Sequence, residues 1–297
     1  MPERARQLHR DVDPSSCIKP LAVAAGQRHS LRMQQPRGEE QWVRACLQQA
    51  LPDVEVRHHD DGSRPGMHDF DLVREGRRFA ALEVTAAADA ASLELWKLVN
   101  GGPRWIREEL AGGWMVSLAP TARAKRIRSE LPRLLASLEA MGVSRISEDY
   151  GPTEDLMERA DRLGIVSANQ SATDFPGSVY FTISLPPERS GGWVPDTGDA
   201  FCHWVSDWLS EPSQSDNLGK LIRSGATERH LFLLLPGFTT APFEALDPLI
   251  RPDGPLPTLA PQLPREVTHL WATSSLNTGD IFHWSPSAGW IRFQKAS

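Results

Sequence analysis

The sequence predicts an α/β protein. A helical pattern at residues 39–50 precedes two alternating segments at residues 68–72 and 77–85, and a second helical pattern follows at residues 89–99. Alternation of apolar and polar residues is typical of strands, whereas apolar spacings of three and four are typical of helices. With 297 residues, 40% of them hydrophobic, the chain is long enough for one large or two ordinary domains.

The first helix carries a candidate acid. Its apolar stripe through Trp42, Val43 and Cys46 also passes through Glu39, which would place Glu39 toward the strands that follow. The neighbouring Glu40 is spaced to pair with Arg44 at i,i+4 and is expected in solvent. An acid in a first turn is also favoured by the helix dipole alone, so a site role and a local role for Glu39 both stay open.

The two alternating segments form a hairpin around the turn Glu75-Gly76. In the second segment, Ala80, Leu82 and Val84 lie on one face, while Phe79, Ala81, Glu83 and Thr85 share the other. A carboxylate in an apolar row is costly unless it is paired, hydrogen-bonded or bound to metal. Glu83 is therefore the first candidate for a functional residue.

Asp69, followed fourteen positions later by Glu83-Val84-Thr85 between two helices, resembles the core motif of PD-(D/E)xK nucleases. The resemblance implies a restriction-endonuclease-like α-β-β-β-α-β core in residues 36–119, with Trp114–Leu118 as its last strand. It also implies that Asp69 and Glu83, assisted by Glu39, hold Mg²⁺ or Mn²⁺ for hydrolysis of a phosphodiester in DNA or RNA.

The motif departs from the family pattern at two positions. His68 stands where a proline usually precedes the aspartate, and Thr85 stands where the family has its lysine. A neutral hydroxyl cannot supply the positive charge that stabilises the developing charge on the phosphate. The second departure therefore requires a lysine from elsewhere, or leaves the fold without catalysis.

Lys97 is the candidate for the displaced lysine. It lies in a helix that Asp89 caps and that Gly101 ends, next to Trp96 and near the edge of the apolar face. The chain has only five lysines against 27 arginines. The alternative is an exposed side chain whose alkyl stem covers the helix edge.

Composition narrows the classes of function. A net charge of −6 argues against a protein whose main task is to grip nucleic acid through phosphates. The cations at 123, 125, 126, 128 and 133 lie opposite the apolar face of a predicted helix at 121–141, which is typical of a solvated face, and contact with phosphate is the alternative. The GxSxG, GxxxxGK[ST] and GxGxxG motifs are absent, so the corresponding hydrolase, NTPase and dehydrogenase functions lack support.

Three regions are expected along the chain: a poorly ordered leader at 1–35, the nuclease-like domain at 36–145 and a Trp-rich C-terminal α/β domain at 146–297. Helices are predicted at 154–163, 199–209 and 216–224, and strands at 179–185, 229–235, 267–273, 281–284 and 290–293. A proline-rich excursion spans 242–264.

The three cysteines, at 17, 46 and 202, form no CxxC motif, and no apolar run is long enough to span a bilayer. We expect a cytoplasmic protein without a membrane partner.

Residues 217–221 and 228–232 look similar to segments in large actinobacterial families of uncharacterised proteins, a resemblance that spans most of the chain and carries no activity. Glu228, Arg229 and His230 are suited to an ion-pair cluster at a strand entrance or to a phosphate contact, with Lys220 nearby. The tryptophans of this half are suited to packing, to base stacking or to a protein partner.

Two hypotheses follow from the sequence. The first is a metal-dependent nuclease with Asp69, Glu83 and Lys97 as catalytic residues. The alternative is an inactive nuclease-like fold that serves as a binding or scaffold module in a defence or regulatory assembly.

Overall fold

The computed structural model describes residues 38–103, 105–147, 150–171 and 175–296, which belong to one compact unit. The predicted leader at 1–35 lies outside the described residues. Within them, the helices are, in chain order, α1 (Gly38–Ala50), α2 (Ala90–Asn100), α3 (Ala124–Ala140), α4 (Glu154–Leu163), α5 (Pro187–Ser190), α6 (Asp199–Leu209), α7 (Ser215–Arg223) and α8 (Phe243–Ile250).

The described strands form two sheets. Their bounds are β1 (Glu55–His58), β2 (Phe70–Arg74), β3 (Arg77–Ala86), β4 (Trp105–Ile106), β5 (Gly113–Leu118), β6 (Arg145–Ser147), β7 (Ile165–Ser171), β8 (Ser178–Ile183), β9 (Glu228–Leu235), β10 (His269–Ser274), β11 (Ile281–Ser285) and β12 (Gly289–Phe293). The larger sheet has the order β1-β2-β3-β9-β10-β11-β12, and the smaller has the order β4-β8-β5-β7-β6. Both are mixed, as in an α/β protein.

The larger sheet begins as an antiparallel meander of β1, β2 and β3. Strand β9 then pairs in parallel with β3, and β10 pairs in parallel with β9. The prediction that Trp114–Leu118 completes this unit is wrong. That segment is a strand, but it lies in the smaller sheet between β7 and β8, because apolar alternation identifies a strand without identifying the strand it pairs with.

The predicted boundary between residues 145 and 146 does not separate the two sheets. The larger sheet joins β3 directly to β9, and the smaller sheet joins β5 to β7 and β8. Both therefore draw strands from each side of the boundary, and the smaller sheet with its helices is an excursion between two neighbouring strands of the larger one.

Each face of the larger sheet is covered by different helices. On one face, Val43, Cys46 and Leu47 of α1 pack in the same core as Leu82 of β3. The other face carries helices α6, α7 and α8, whose apolar residues pack with Leu231 of β9. Because Glu83 is the register partner of Leu231, its side chain lies on the face that carries α7.

Local signals in the sequence located most of the elements. Glu75 and Gly76 both have positive φ, which closes the predicted hairpin, and Asp89 caps α2 by accepting a hydrogen bond from the Ser92 N–H at 3.1 Å. The prediction missed β1, β4, β6, β7, the short helix α5, and the helix α8, which lies within the proline-rich excursion. Among the described helices, none combines the length and apolar character that crossing a lipid bilayer requires.

Candidate functional site

Asp69, directly before β2, lies opposite Glu83 of the neighbouring strand β3. Phe70 of β2 pairs with Leu82 of β3, so the next position outward places Asp69 across from Glu83 on the same face. Asp69 is buried, and its Oδ2 accepts a 2.7 Å hydrogen bond from the Val84 N–H. The structure therefore brings together the two acids of the predicted motif.

Glu83 is the most deeply buried acid of this site. Its exposed fraction is 1%, and burial followed by the charge of Asp69 raises its pKa to about 8, although Lys220 acts in the opposite direction. Its Oε1 accepts a hydrogen bond from Lys220 Nζ at 2.7 Å. No donor among the described residues reaches Oε2, which is also buried. One oxygen of a buried carboxylate is thus left for a ligand.

The lysine beside Glu83 is Lys220, which comes from α7. Burial lowers its pKa, but the hydrogen bond and the negative charge of Glu83 outweigh that effect and raise it. One turn earlier on α7, Asn217 Nδ2 donates to Thr85 Oγ1 at 3.1 Å. Helix α7 therefore contacts both Glu83 and Thr85, the residue at the position where the resemblance leads one to expect a lysine.

Lys97 and Glu39 are not brought to this pair. Both line a cleft of about 1060 Å³ together with Ala86 and Leu234, on the face of the sheet that carries α1. Lys97 is exposed there, and Glu39 is exposed at the start of α1. The expectation that Glu39 points toward Asp69 and Glu83 is not met, because β3 turns Glu83 to the opposite face.

The phase of α1 also differs from the prediction. Glu40, expected in solvent, is buried on the same stripe as Val43 and Leu47, whereas Glu39 is exposed. At the amino-terminal end of α1, the buried stripe thus begins at Glu40 and not at Glu39. In an amphipathic helix, three- and four-residue spacings leave two neighbouring residues as alternatives at the edge of the stripe.

Sequence reasoning noted Lys220 but placed it near Glu228. A usable signal was present, because Asn217 and Lys220 are three residues apart and share a helix face. That face lies next to β3 only through the pairing of β9 with β3, which the sequence pattern did not reveal.

The carboxylates fit a hard divalent cation. Mg²⁺ and Mn²⁺ prefer carboxylate oxygens, and two neighbouring acids with one unpartnered buried oxygen supply that type of donor. Burial is the main cause of the raised pKa of Glu83, and repulsion from the neighbouring carboxylate of Asp69 adds to it.

A second cluster lies at the edge of this site. Asp71 accepts from His68 Nε2 at 2.8 Å and lies 3.2 Å from His59 Nδ1, and the two imidazole rings stack with centroids 4.0 Å apart. Arg78 Nε is 3.0 Å from the same carboxylate. Although burial acts to raise the pKa of Asp71, these neighbours together lower it. The arginine already supplies the positive charge, so the cluster is better suited to anchoring Arg78 than to holding a metal.

The Glu228 and His230 cluster lies on the α1 face of the sheet. Trp271 Nε1 donates to His230 Nδ1 at 3.0 Å, so that nitrogen carries no proton and the neutral ring has its proton on Nε2. His230 Nε2 then donates to Glu228 at 3.3 Å, and His269 stacks on the His230 ring. Because Nε2 holds a proton, it is not available as a metal ligand, and the cluster is a hydrogen-bonded support at the start of β9.

Comparisons with protein families, with curated proteins and with solved structures give no significant match to this chain.

Proposed function

We propose that the protein is a metal-dependent phosphodiesterase of PD-(D/E)xK type in which Lys220 takes the place of the missing motif lysine. The observation that carries the proposal is the 2.7 Å contact between Lys220 Nζ and Glu83 Oε1, across from Asp69. Two carboxylates and one lysine are the residue types that this chemistry uses, and here they meet on one face of the sheet. DNA and RNA are the substrate classes proposed.

Asp69 and Glu83 would hold Mg²⁺ or Mn²⁺ through their carboxylate oxygens. The bound ion would supply a Lewis acid that lowers the pKa of water and neutralises charge on the phosphate. The Val84 N–H fixes the Asp69 carboxylate through Oδ2, and the apolar core beneath β3 holds Glu83 in position. These contacts orient the two acids before any ligand arrives.

Lys220 provides the positive charge. One N–H of its ammonium group donates to Glu83, which leaves two for a water molecule or a phosphate oxygen. A fixed cation at this place would stabilise the negative charge that develops during phosphodiester cleavage. Thr85, held by Asn217, would keep the neighbouring position neutral.

The decisive experiment compares wild type with Glu83→Gln and Asp69→Ala during Mn²⁺ titration. We expect metal to stabilise the wild-type protein in a thermal shift assay and to support cleavage of a mixed DNA and RNA substrate pool. Both effects should be lost in the two variants, because each removes a carboxylate ligand. Glu94→Gln, an exposed change on α2, is the matched control and should behave as wild type.

Equal Mn²⁺ affinity in wild type and Asp69→Ala, measured by calorimetry, would refute the metal site. A wild-type protein that neither binds Mn²⁺ nor cleaves would instead favour the alternative of a nuclease-like fold retained for binding. The Lys220 to Glu83 ion pair is compatible with that alternative, since it partly neutralises the acid without a metal.

A further inference from the structure

A cleft of about 400 Å³ opens beside Lys220, on the side of the site away from the Asn217 to Thr85 contact. The groups that line it include four side chains with permanent positive charge, Arg64, Arg78, Lys220 and Arg223, and the imidazoles of His59 and His68. In a chain of net charge −6, this concentration of cations is a local feature that overall composition does not explain.

Two of the four cations already have a close carboxylate partner. Lys220 donates to Glu83 at 2.7 Å, and Arg78 Nε lies 3.0 Å from Asp71 while its Nη2 donates to the Ser224 carbonyl at 2.6 Å. These contacts fix the wall of the cleft. They also connect the end of α7 to β3.

The other two cations, Arg64 and Arg223, have guanidinium N–H groups that make no close ion pair among the described residues. Within the described part of the chain, no carboxylate pairs with Arg64, and Arg223 has only Asp216 at 3.7 Å, where both side chains are exposed. Gly66 has a φ of +76°, and a Cβ added there would lie 2.7 Å from Arg223 Nη2. The loop backbone thus approaches the Arg223 guanidinium closely, which limits where this group can lie.

We infer that this cleft binds the terminal phosphate monoester of a nucleic acid strand, next to the Asp69 and Glu83 pair. A guanidinium group presents paired N–H donors that match two oxygens of one phosphate. Two available guanidinium groups suit a dianionic monoester, which has three non-bridging oxygens, better than an internal diester with a single charge. The inference rests on the proposed function for the choice of a nucleic acid, but the binding can be measured without catalysis.

The first experiment titrates inorganic phosphate into the full chain without metal, followed by calorimetry. We expect at least tenfold weaker binding in Arg223→Gln and in Arg64→Gln. Arg133→Gln, which removes the same charge from an exposed position on α3, should bind as wild type does. Absence of phosphate binding in wild type, or equal weakening in all three variants, would overturn the inference, because bulk charge would then explain the effect.

The second experiment uses one labelled oligonucleotide with a 5′-phosphate, a 3′-phosphate or hydroxyls at both ends, together with a circular form, and measures binding by fluorescence anisotropy. Preference for one phosphorylated end, reduced by Arg223→Gln, supports the inference. If the circular and hydroxyl forms bind as tightly as the two phosphorylated forms, the cleft recognises internal phosphates and the inference is overturned. Glu83→Gln separates the two proposals. Loss of cleavage with this end preference retained would support phosphate binding by the cleft independently of catalysis.

Discussion

Lys220 and Glu83 form a partly buried ion pair, an arrangement whose net stabilisation is small because desolvation opposes the attraction. The pair is therefore more important for the position in which it holds the ammonium group than for the stability that it adds. The ammonium group is held 2.7 Å from one oxygen of an acid whose other oxygen has no donor among the described residues. A lysine that only stabilised the fold would not require a second oxygen to be left open.

Replacement of Lys220 tests that view directly. If the protein cleaves a phosphodiester, Lys220→Met should lower the rate by a factor on the order of 100 or more, since it removes a charge that stabilises the reacting phosphate. Lys97→Met is the matched control and should retain the wild-type rate, because Lys97 is exposed in the other cleft. Single-turnover cleavage with Mn²⁺ measures both.

A rescue variant separates charge from packing. Thr85 lies two residues after Glu83 on the same face of β3, so a lysine there reaches the same acid. We expect Thr85→Lys in the Lys220→Met background to restore part of the rate. Full activity in Lys220→Met alone would contradict the assigned role of Lys220.

At the residue level, sequence reasoning predicted that Asp69 and Glu83 lie close together, but it did not predict that Lys220 contacts Glu83. The acid Glu83 is visible in the local pattern of residues 79–85, because the two-residue period of a strand assigns its side chains to faces. Lys220 reaches Glu83 only through the tertiary arrangement of α7. No local periodicity encodes that distance.

Three neighbouring strands, β9, β10 and β11, carry a stack of histidines. His283 lies on the Trp271 ring with centroids 3.9 Å apart, and neither of its nitrogens has a hydrogen-bond partner within the described residues. Burial, followed by the charges of His230 and His269, lowers its pKa to about 3, and burial similarly lowers that of His269 to about 4. These rings remain neutral at pH 7.

This stack predicts a loss of stability in acid. The unfolded chain binds protons on these histidines near pH 6.5, whereas the folded chain does not until pH about 3 to 4, so the free energy of unfolding should decrease as pH falls from 6.5 toward 4. His283→Phe should reduce the difference between pH 7 and pH 5 by about 2 kcal/mol. It should also raise stability at pH 7 by about 1 kcal/mol, because an unpaired polar ring leaves the core.

Urea denaturation at the two pH values measures both effects. His203→Phe, at an exposed position on α6, is the control and should leave the pH dependence unchanged. An unchanged dependence in His283→Phe would show that this histidine is already protonated, or hydrated, in the folded protein.

Among the elements, those with local end signals were predicted well. Helix α4 has its Thr153 cap and its left-handed Gly164, and both ends agree with the sequence prediction. Helix α8 was missed because Pro242 and Pro248 indicate a loop, although a proline just before a helix is compatible with its first turn. Strand β7 was missed because polar residues interrupt its alternation.

For the whole molecule, the pairing of β3 with β9 has the widest consequence. This pair joins the meander that carries Asp69 and Glu83 to the part of the chain that follows α7. Sequence patterns revealed both strands but not their pairing, since contacts between distant strands leave no periodic signal. The predicted boundary at residues 145 and 146 was placed without that information.

A fragment of residues 38–145 should therefore fail to fold. It lacks β9, so β3 would become an exposed edge strand, and the face of Glu83 would lose its covering helices. We expect no cooperative thermal transition by circular dichroism for this fragment, whereas residues 38–296 should show one. A cooperative transition in the fragment would contradict the arrangement of the larger sheet.

The order of the site along the chain bears on when it could work during synthesis. Asp69 and Glu83 leave the ribosome early, and Lys220 follows only after the whole smaller sheet and α6 have been made. An unfinished or prematurely ended chain would thus carry the two acids without the ammonium group of Lys220 and without the side of the cleft that α7 forms. Under the proposed function, hydrolysis would therefore begin only after translation has passed β9.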